Sequence, residues 1–182
     1  MLITIPRVLD DASLERVRAL LGDIAFVDGR NSAGGDARRV KENEEADAAD
    51  ERVGLLNRLV LLPLYRHPLF QAAAMPRRLS GAFFARYRPQ MHYGLHVDDP
   101  VMGPEGGRYR SDISMTVFLA PPETYDGGEL VIETEYGEQR VKLGAGDAVV
   151  YPSSSLHQVA PVTRGERLVA VAWAESMVRE PD

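Results

Sequence analysis

The 182-residue chain contains no cysteine. That absence removes disulfides, thiolate metal sites and a cysteine nucleophile, and leaves His, Asp and Glu as the side chains able to hold a metal. Long apolar runs are missing too: no stretch of about eighteen or more apolar residues occurs, which excludes a membrane-crossing helix. The opening residues, Met1-Leu2-Ile3-Thr4-Ile5-Pro6-Arg7, lack the charged start, apolar middle and small-residue cleavage site of a secretory leader, so the expected compartment is the cytoplasm. Basic residues are in the minority, 21 Lys and Arg against 27 Asp and Glu, for a net charge of -6. With a pI near 5.3 this argues against nucleic acid as a partner and leaves a small molecule or another protein. No repeat of solenoid period is found.

What is present reads as a globular protein, with 45% hydrophobic and 26% charged residues. The length suits one domain over residues 1–182 with a core of its own. Asp10 to Ser13 supply N-cap residues ahead of Leu14, Val17, Leu20 and Leu21, one apolar face of a helix that Gly22 would stop. Residues 28–50 are polar and predict a surface loop or a poorly ordered segment. A second helix is expected over residues 46–62, ended by Pro63, and a short third over residues 68–74, where Pro68 suits the first turn.

From residue 79 the apolar runs become short, rich in Val, Tyr and Phe and punctuated by Gly, Pro and Asp, which are strand signals. Strands are expected over residues 81–88, 93–98, 113–119, 128–133, 139–143, 148–151, 157–162 and 168–174. With no helix between them they predict antiparallel sheets closed on each other as a sandwich or jelly roll, with the helices on an outer face. The division is therefore a helical part, residues 1–78, and a β core, residues 79–178.

Among the four histidines, His96 stands two residues before Asp98, so on one strand both would point the same way. His157, opening a later strand, is the candidate third ligand, and two imidazoles with one carboxylate suit Fe(II). Zinc accepts the same set, but the H-E-x-x-H helix motif of zinc hydrolases is missing. His92 would share the His96 face on a regular strand and is the competing ligand. His67, beside Pro68, is assigned no role. Arg167 shares a face with Val169, Val171 and Trp173; if that face is interior, Arg167 is a buried cation in need of an anion, unless it reaches water at the strand end or pairs with an acid such as Glu166. A carboxylate gripped by the guanidinium fork would meet that need. Tyr87, in phase with Phe83 and Ala85, would point inward and seek a polar partner. Tyr93, Asp99, Ser114 and Thr116 read as structural or rim residues, and Gly127-Gly128 and Gly144 to Asp147 as turns.

The stretch from Tyr87 to about Trp173 resembles the Fe(II)- and 2-oxoglutarate-dependent dioxygenases of the prolyl-hydroxylase type: H-x-D, a distal His, and a basic residue ten positions further on. The segments Y-R-P-Q-M-H-Y-G-L-H-V-D-D-P, Y-D-G-G-E-L-V-I-E and Y-P-S-S-S-L-H-Q-V are similar to those of bacterial PKHD-type hydroxylases, and the N-terminal H-P-L-F-Q-A-A-A extends the likeness over most of the chain. The resemblance implies a double-stranded β-helix, cupin-like and flanked by helices. It implies that His96, Asp98 and His157 hold Fe(II), that Arg167 binds the distal carboxylate of 2-oxoglutarate, and that Tyr87 helps bind this cosubstrate. The implied reaction is hydroxylation of a peptidyl or small-molecule substrate with O2, releasing succinate and CO2, since related halogenases lack the carboxylate that Asp98 supplies. L-ascorbate as an auxiliary reductant and a homodimer as the assembly complete the expectation. Relatives of this type usually continue into a further helical segment, whereas this sequence stops at Asp182. Two rivals use the same residues: a non-catalytic cupin-like metal or ligand binder, and a purely structural sandwich.

Overall fold

The computed structural model describes residues 1–178; Asp182, where the sequence stops, lies outside them. In chain order, β1 (Ile3–Ile5) is followed by α1 (Asp11–Gly22), whose N-cap Asp10 accepts a hydrogen bond from the Ser13 backbone N–H at 2.8 Å. Leu14, Val17 and Leu21 form its buried face, and it ends at Gly22 as expected. The polar segment is not a surface loop. It holds β2 (Phe26–Asp28), β3 (Lys41–Glu42) and β4 (Glu44–Ala46), so the N-terminal 78 residues are part of the sheet structure as well as helical. Its period-2 pattern is polar on the inward positions Lys41, Asn43 and Glu45, so no apolar alternation marks it as a strand.

Next, α2 (Val53–Arg66) starts later than expected and runs three residues past Pro63. An interior proline forfeits one helix hydrogen bond. Here Leu56, Val60 and Leu64, each fully buried, continue one stripe across it, and tertiary packing holds the last turn. The helix stops at His67, whose ring caps α3 (Pro68–Ala74) by accepting from the Leu69 backbone N–H at 3.2 Å.

The remaining chain is β: β5 (Pro76–Leu79), β6 (Phe83–Tyr87), β7 (His92–His96), β8 (Val101–Met102), β9 (Tyr109–Arg110) and β10 (Ile113–Phe118). Then come β11 (Asp126–Gly127), β12 (Leu130–Thr134), β13 (Gly137–Val141) and β14 (Ala148–Pro152). The expected strand 157–162 is two, β15 (His157–Val159) and β16 (Val162–Arg164), because Ala160-Pro161 breaks the run; β17 (Arg167–Ser176) ends the series. An eight-stranded sheet has the order β1-β14-β10-β17-β6-β4-β2, with β5 also paired to β17. A five-stranded sheet, β13-β12-β15-β7-β3, faces it. The pairs are antiparallel, as expected for a jelly roll.

The two faces of β17 show how the layers are divided. Ala170, Ala172 and Ala174 join the hydrophobic cluster that contains the buried faces of α1, α2 and α3, with Leu168 packed against it, and the three alanines let the helices approach. Val169 and Val171 belong to the second cluster, between the sheets, with Leu130, Ile132, Val149 and Tyr151. Arg167 has the parity of this inner face. Residues 41–46 then tie the two sheets together: Lys41 and Glu42 pair with Tyr93 and His92 of β7, while Glu44 and Glu45 pair with Arg86 and Ala85 of β6. Arg86 reinforces this strap from outside through Glu44 at 2.7 Å, and Arg88 contacts the same carboxylate.

Candidate metal centre

His96 and His157 face each other because β7 and β15 pair with His157 opposite His96, their rings 4.3 Å apart. The next recorded pair is Val159 with Tyr93, so three steps on β7 match two on β15. This bulge reverses the side-chain phase of β7. It brings Tyr93 onto the His96 face, stacked at 3.6 Å, and turns His92 away to a half-exposed position 3.7 Å from Glu42. The competing ligand is thereby removed from the site. Gly94 lies in the bulge, where a side chain would strike Val40 at 2.8 Å.

β7 ends at His96, but the alternation continues through the exposed Val97 to Asp98, so the two side chains point the same way as expected: Asp98 Oδ1 lies 3.9 Å from His96 Nε2 and 3.8 Å from His157 Nε2. Its other oxygen accepts from the Trp173 indole N–H at 2.9 Å and from the Ser114 hydroxyl. Ser153 Oγ, 2.8 Å from Ser114 Oγ, can donate in turn to Ser114. Each imidazole donates from Nδ1 to a carbonyl, His96 to Gly94 at 2.7 Å and His157 to Ser155 at 2.9 Å. Both Nε2 lone pairs and one carboxylate oxygen are therefore presented to a common point, the three ligand atoms lying within 4.8 Å of one another. The donor set and its supporting hydrogen bonds fit a divalent metal of the N,N,O type. Among the described residues this is the one group of three such side chains.

Burial, and then the neighbouring His157, lower the His96 pKa to about 4, so the imidazole is neutral at pH 7. The unfolded chain binds this proton more readily, so metal-free protein should lose stability as pH falls from the ordinary histidine value of 6.5 through about 4. Thermal melts of chelator-treated protein across that window check the sign. Removing a supporting donor tests the other half of the site. Trp173→Phe keeps the ring but deletes the N–H to Asp98, and iron affinity should fall roughly 10- to 100-fold with little change in melting temperature, read by anaerobic metal titration.

The ligands line a cavity of about 540 Å³ between the sheets. Arg167 reaches into it from β17 and is 1% exposed, its guanidinium 4.9 Å from the Tyr87 ring and 5.6 Å from the Phe118 ring. Its Nε has no hydrogen-bond partner, and Glu166 turns instead toward Arg86 at 3.9 Å. Gly128 contributes more than a turn, since a Cβ there would meet the Arg167 side chain at 3.0 Å. Tyr87, 3% exposed, sits beside Arg167 on the neighbouring strand, and burial pushes its pKa up to about 12, which keeps the phenol a proton donor. A buried cation and an adjacent phenol in a cavity that also holds a metal set fit an anionic chelator.

Sequence reasoning did not reach several cavity residues. Trp173 reads as an apolar face-mate of Arg167, and Ser114 as a rim residue, yet both hold Asp98. Lys41, Asn43 and Glu45 come from the polar segment and are 6%, 5% and 6% exposed, with Lys41 Nζ 2.6 Å from Glu45 Oε1 and 5.2 Å from the centre of the Tyr93 ring. Inward parity was the available signal for Trp173; none marked the strap.

Comparison with known proteins decides the family. The 2OG-Fe(II) oxygenase superfamily model matches residues 82–175. A PKHD-type hydroxylase of Thioalkalivibrio sulfidiphilus is 71% identical over 167 residues, covering 92% of this chain and 75% of that relative. The chain belongs to the PKHD-type hydroxylases of the 2OG-Fe(II) oxygenase superfamily. Solved structures of lower identity show the same fold. A Trichoplax adhaerens prolyl hydroxylase in complex with a hypoxia inducible factor peptide fragment aligns with TM-score 0.69 at 16% identity, over 96% of this chain and 83% of that one. HygX of Streptomyces hygroscopicus, with nickel, 2-oxoglutarate and hygromycin B bound, aligns with TM-score 0.61 at 14% identity, over 100% and 85%. The hydroxylase fold is thus the double-stranded β-helix expected from the sequence, and no described helix is long and apolar enough to cross a membrane.

Proposed function

We propose that this hydroxylase inserts one oxygen atom of O2 into a C–H bond of a peptidyl or small-molecule substrate, with 2-oxoglutarate converted to succinate and CO2. In this reading the chain acts as one catalytic domain, His96, Asp98 and His157 hold Fe(II), and Arg167 and Tyr87 bind the distal carboxylate of the cosubstrate. The observation that carries it is the convergence, in one cavity, of a His-Asp-His donor set and a buried guanidinium whose Nε is unpartnered. Bound Fe(II) would supply the oxygen activation and redox chemistry that no side chain in this chain can perform.

The chain's own residues do the rest. The Nδ1 donors to Gly94 and Ser155 hold both imidazoles in the tautomer that leaves Nε2 free. Trp173 and Ser114 donate to one Asp98 oxygen and so orient the other toward the imidazoles. Arg167 neutralises the anion, Tyr87 donates a proton to it without losing that proton, and the Tyr93 and Tyr151 rings pack beside His96 and His157 to limit water. The Trichoplax relative with its peptide and HygX with hygromycin B bracket the two substrate classes.

Purified protein given Fe(II), 2-oxoglutarate and L-ascorbate should release succinate slowly in air even with no further substrate, and under nitrogen the mixture should develop a visible absorption band. Absence of both succinate and band would overturn the reading and favour a non-catalytic binder. Adding peptide and metabolite pools and searching for a one-oxygen mass gain identifies the substrate.

A further inference from the structure

Five buried side-chain nitrogen and oxygen atoms among the described residues have no hydrogen-bond partner, and four of them gather around Arg167 and Tyr87. They are Arg167 Nε, the Tyr125 hydroxyl and both amide atoms of Asn43. The fifth belongs to Arg18 on α1. Tyr125 and Arg167 meet at Gly128, where a Cβ would lie 3.3 and 3.0 Å from them. Asn43 arrives from the strap. The β4–β6 ladder pairs Glu44 with Arg86 and Glu45 with Ala85, and one further step places Asn43 beside Tyr87, which itself pairs with Arg167. Arg167 on β17, Tyr87 on β6 and Asn43 just before β4 therefore make one inward row, and all three line the cavity.

A buried amide with neither atom bonded is destabilising, so Asn43 is not there for stability. Its Oδ1 is turned to Gly29, where a Cβ would lie only 1.9 Å away, which leaves the amide N–H side for the phenol. Burial raises the Tyr87 pKa and the Arg167 charge opposes it, with a smaller lowering from the Asn43 amide, which stops short of a hydrogen bond to the phenol. A phenol has one proton and two lone pairs. If Asn43 donates to a lone pair, the proton must point elsewhere, and the anion site at Arg167 is the neighbour in the row.

We propose that Asn43 is a positioning residue of the cosubstrate site: its amide N–H donates to the Tyr87 oxygen and so directs the phenol proton onto the carboxylate held by Arg167. This rests on the functional reading above. It makes the strap that joins the two sheets part of cosubstrate recognition. Gly29 is the space that lets the amide lie there.

The test is an anaerobic titration of 2-oxoglutarate into Fe(II)-loaded protein, followed by the visible band and by fluorescence of Trp173, the sole tryptophan. N43A should weaken binding about tenfold, the scale of one charge-assisted hydrogen bond. N43D should weaken it further, because a carboxylate accepts the phenol proton and repels the anion. Fe(II) affinity should stay at the wild-type level in both. In a Y87F background N43A should add no further loss, since the residue acts through the phenol, whereas a merely structural defect would add to it. Unchanged affinity in N43A, or additive losses in the double variant, overturns the proposal; N43S serves if N43A fails to fold. Wild-type protein that binds Fe(II) but takes up no 2-oxoglutarate would overturn the functional reading itself, a result distinct from either.

Discussion

Asp98→Ala protein should hold no iron in anaerobic titration and release no succinate above background, a loss well beyond the roughly 100-fold typical of removing a supporting residue. Two effects combine. The substitution deletes the one carboxylate that reaches both Nε2 atoms, at 3.9 and 3.8 Å. It also strands the Trp173 indole N–H, a buried donor left unpaired costing about 1 to 3 kcal/mol, whereas the Ser114 hydroxyl can turn to Ser153 at 2.8 Å. The metal-free variant should therefore melt below metal-free wild type. Iron binding retained in Asp98→Ala would show that the metal sits elsewhere. Loss of iron with an unchanged melting temperature would show that the indole finds another acceptor.

Arg167→Leu should behave in the opposite way on stability. Truncating one partner of a buried charge pair costs about 3 to 5 kcal/mol, so 2-oxoglutarate affinity should fall by upwards of about 100-fold while Fe(II) affinity holds. The ligand-free protein, however, should be no less stable than wild type and is expected to melt higher. Fully burying an aliphatic side chain yields about 1.5 to 3 kcal/mol, whereas a desolvated guanidinium with an unpartnered Nε costs several. On the proposed function, stability is given up here to preorganise an anion site. Differential scanning calorimetry of the apo proteins and titration of the iron-loaded ones separate the two effects. A variant that binds 2-oxoglutarate normally would remove Arg167 from the site, and one that melts lower would mean the cation is compensated in the ligand-free fold.

Tyr87, His157 and Arg167 were legible because each shares its strand face with buried apolar residues, so its inward direction follows from its neighbours; His96 was legible from the H-x-D spacing instead, since its apolar neighbours Leu95 and Val97 are exposed. The strand pattern also predicted the two antiparallel sheets, and the stripe on α1 its buried face. Where the alternation is polar the reading failed. Lys41, Asn43 and Glu45 point inward from a segment with no apolar phase, and the loop expected there is the strap that ties β6 to β7. Pro63 failed as a helix stop for a related reason: local propensity was outweighed by packing of Leu64 on the sheet.

The sequence by itself determined the donor types, the order of the elements and the family, since spacing such as H-x-D with a distal His and a basic residue is a property of the chain. The exclusion of His92 as a competing ligand was decided only in three dimensions, because the bulge in β7 changes the phase between Tyr93 and His96 and no residue type announces it. The same holds for the acceptor of the Trp173 N–H and for the neighbours of Asn43. Hydrogen-bond partners across 75 residues of chain, as between Trp173 and Asp98, depend on sheet register. Register is set by the sum of core contacts and not by any local motif.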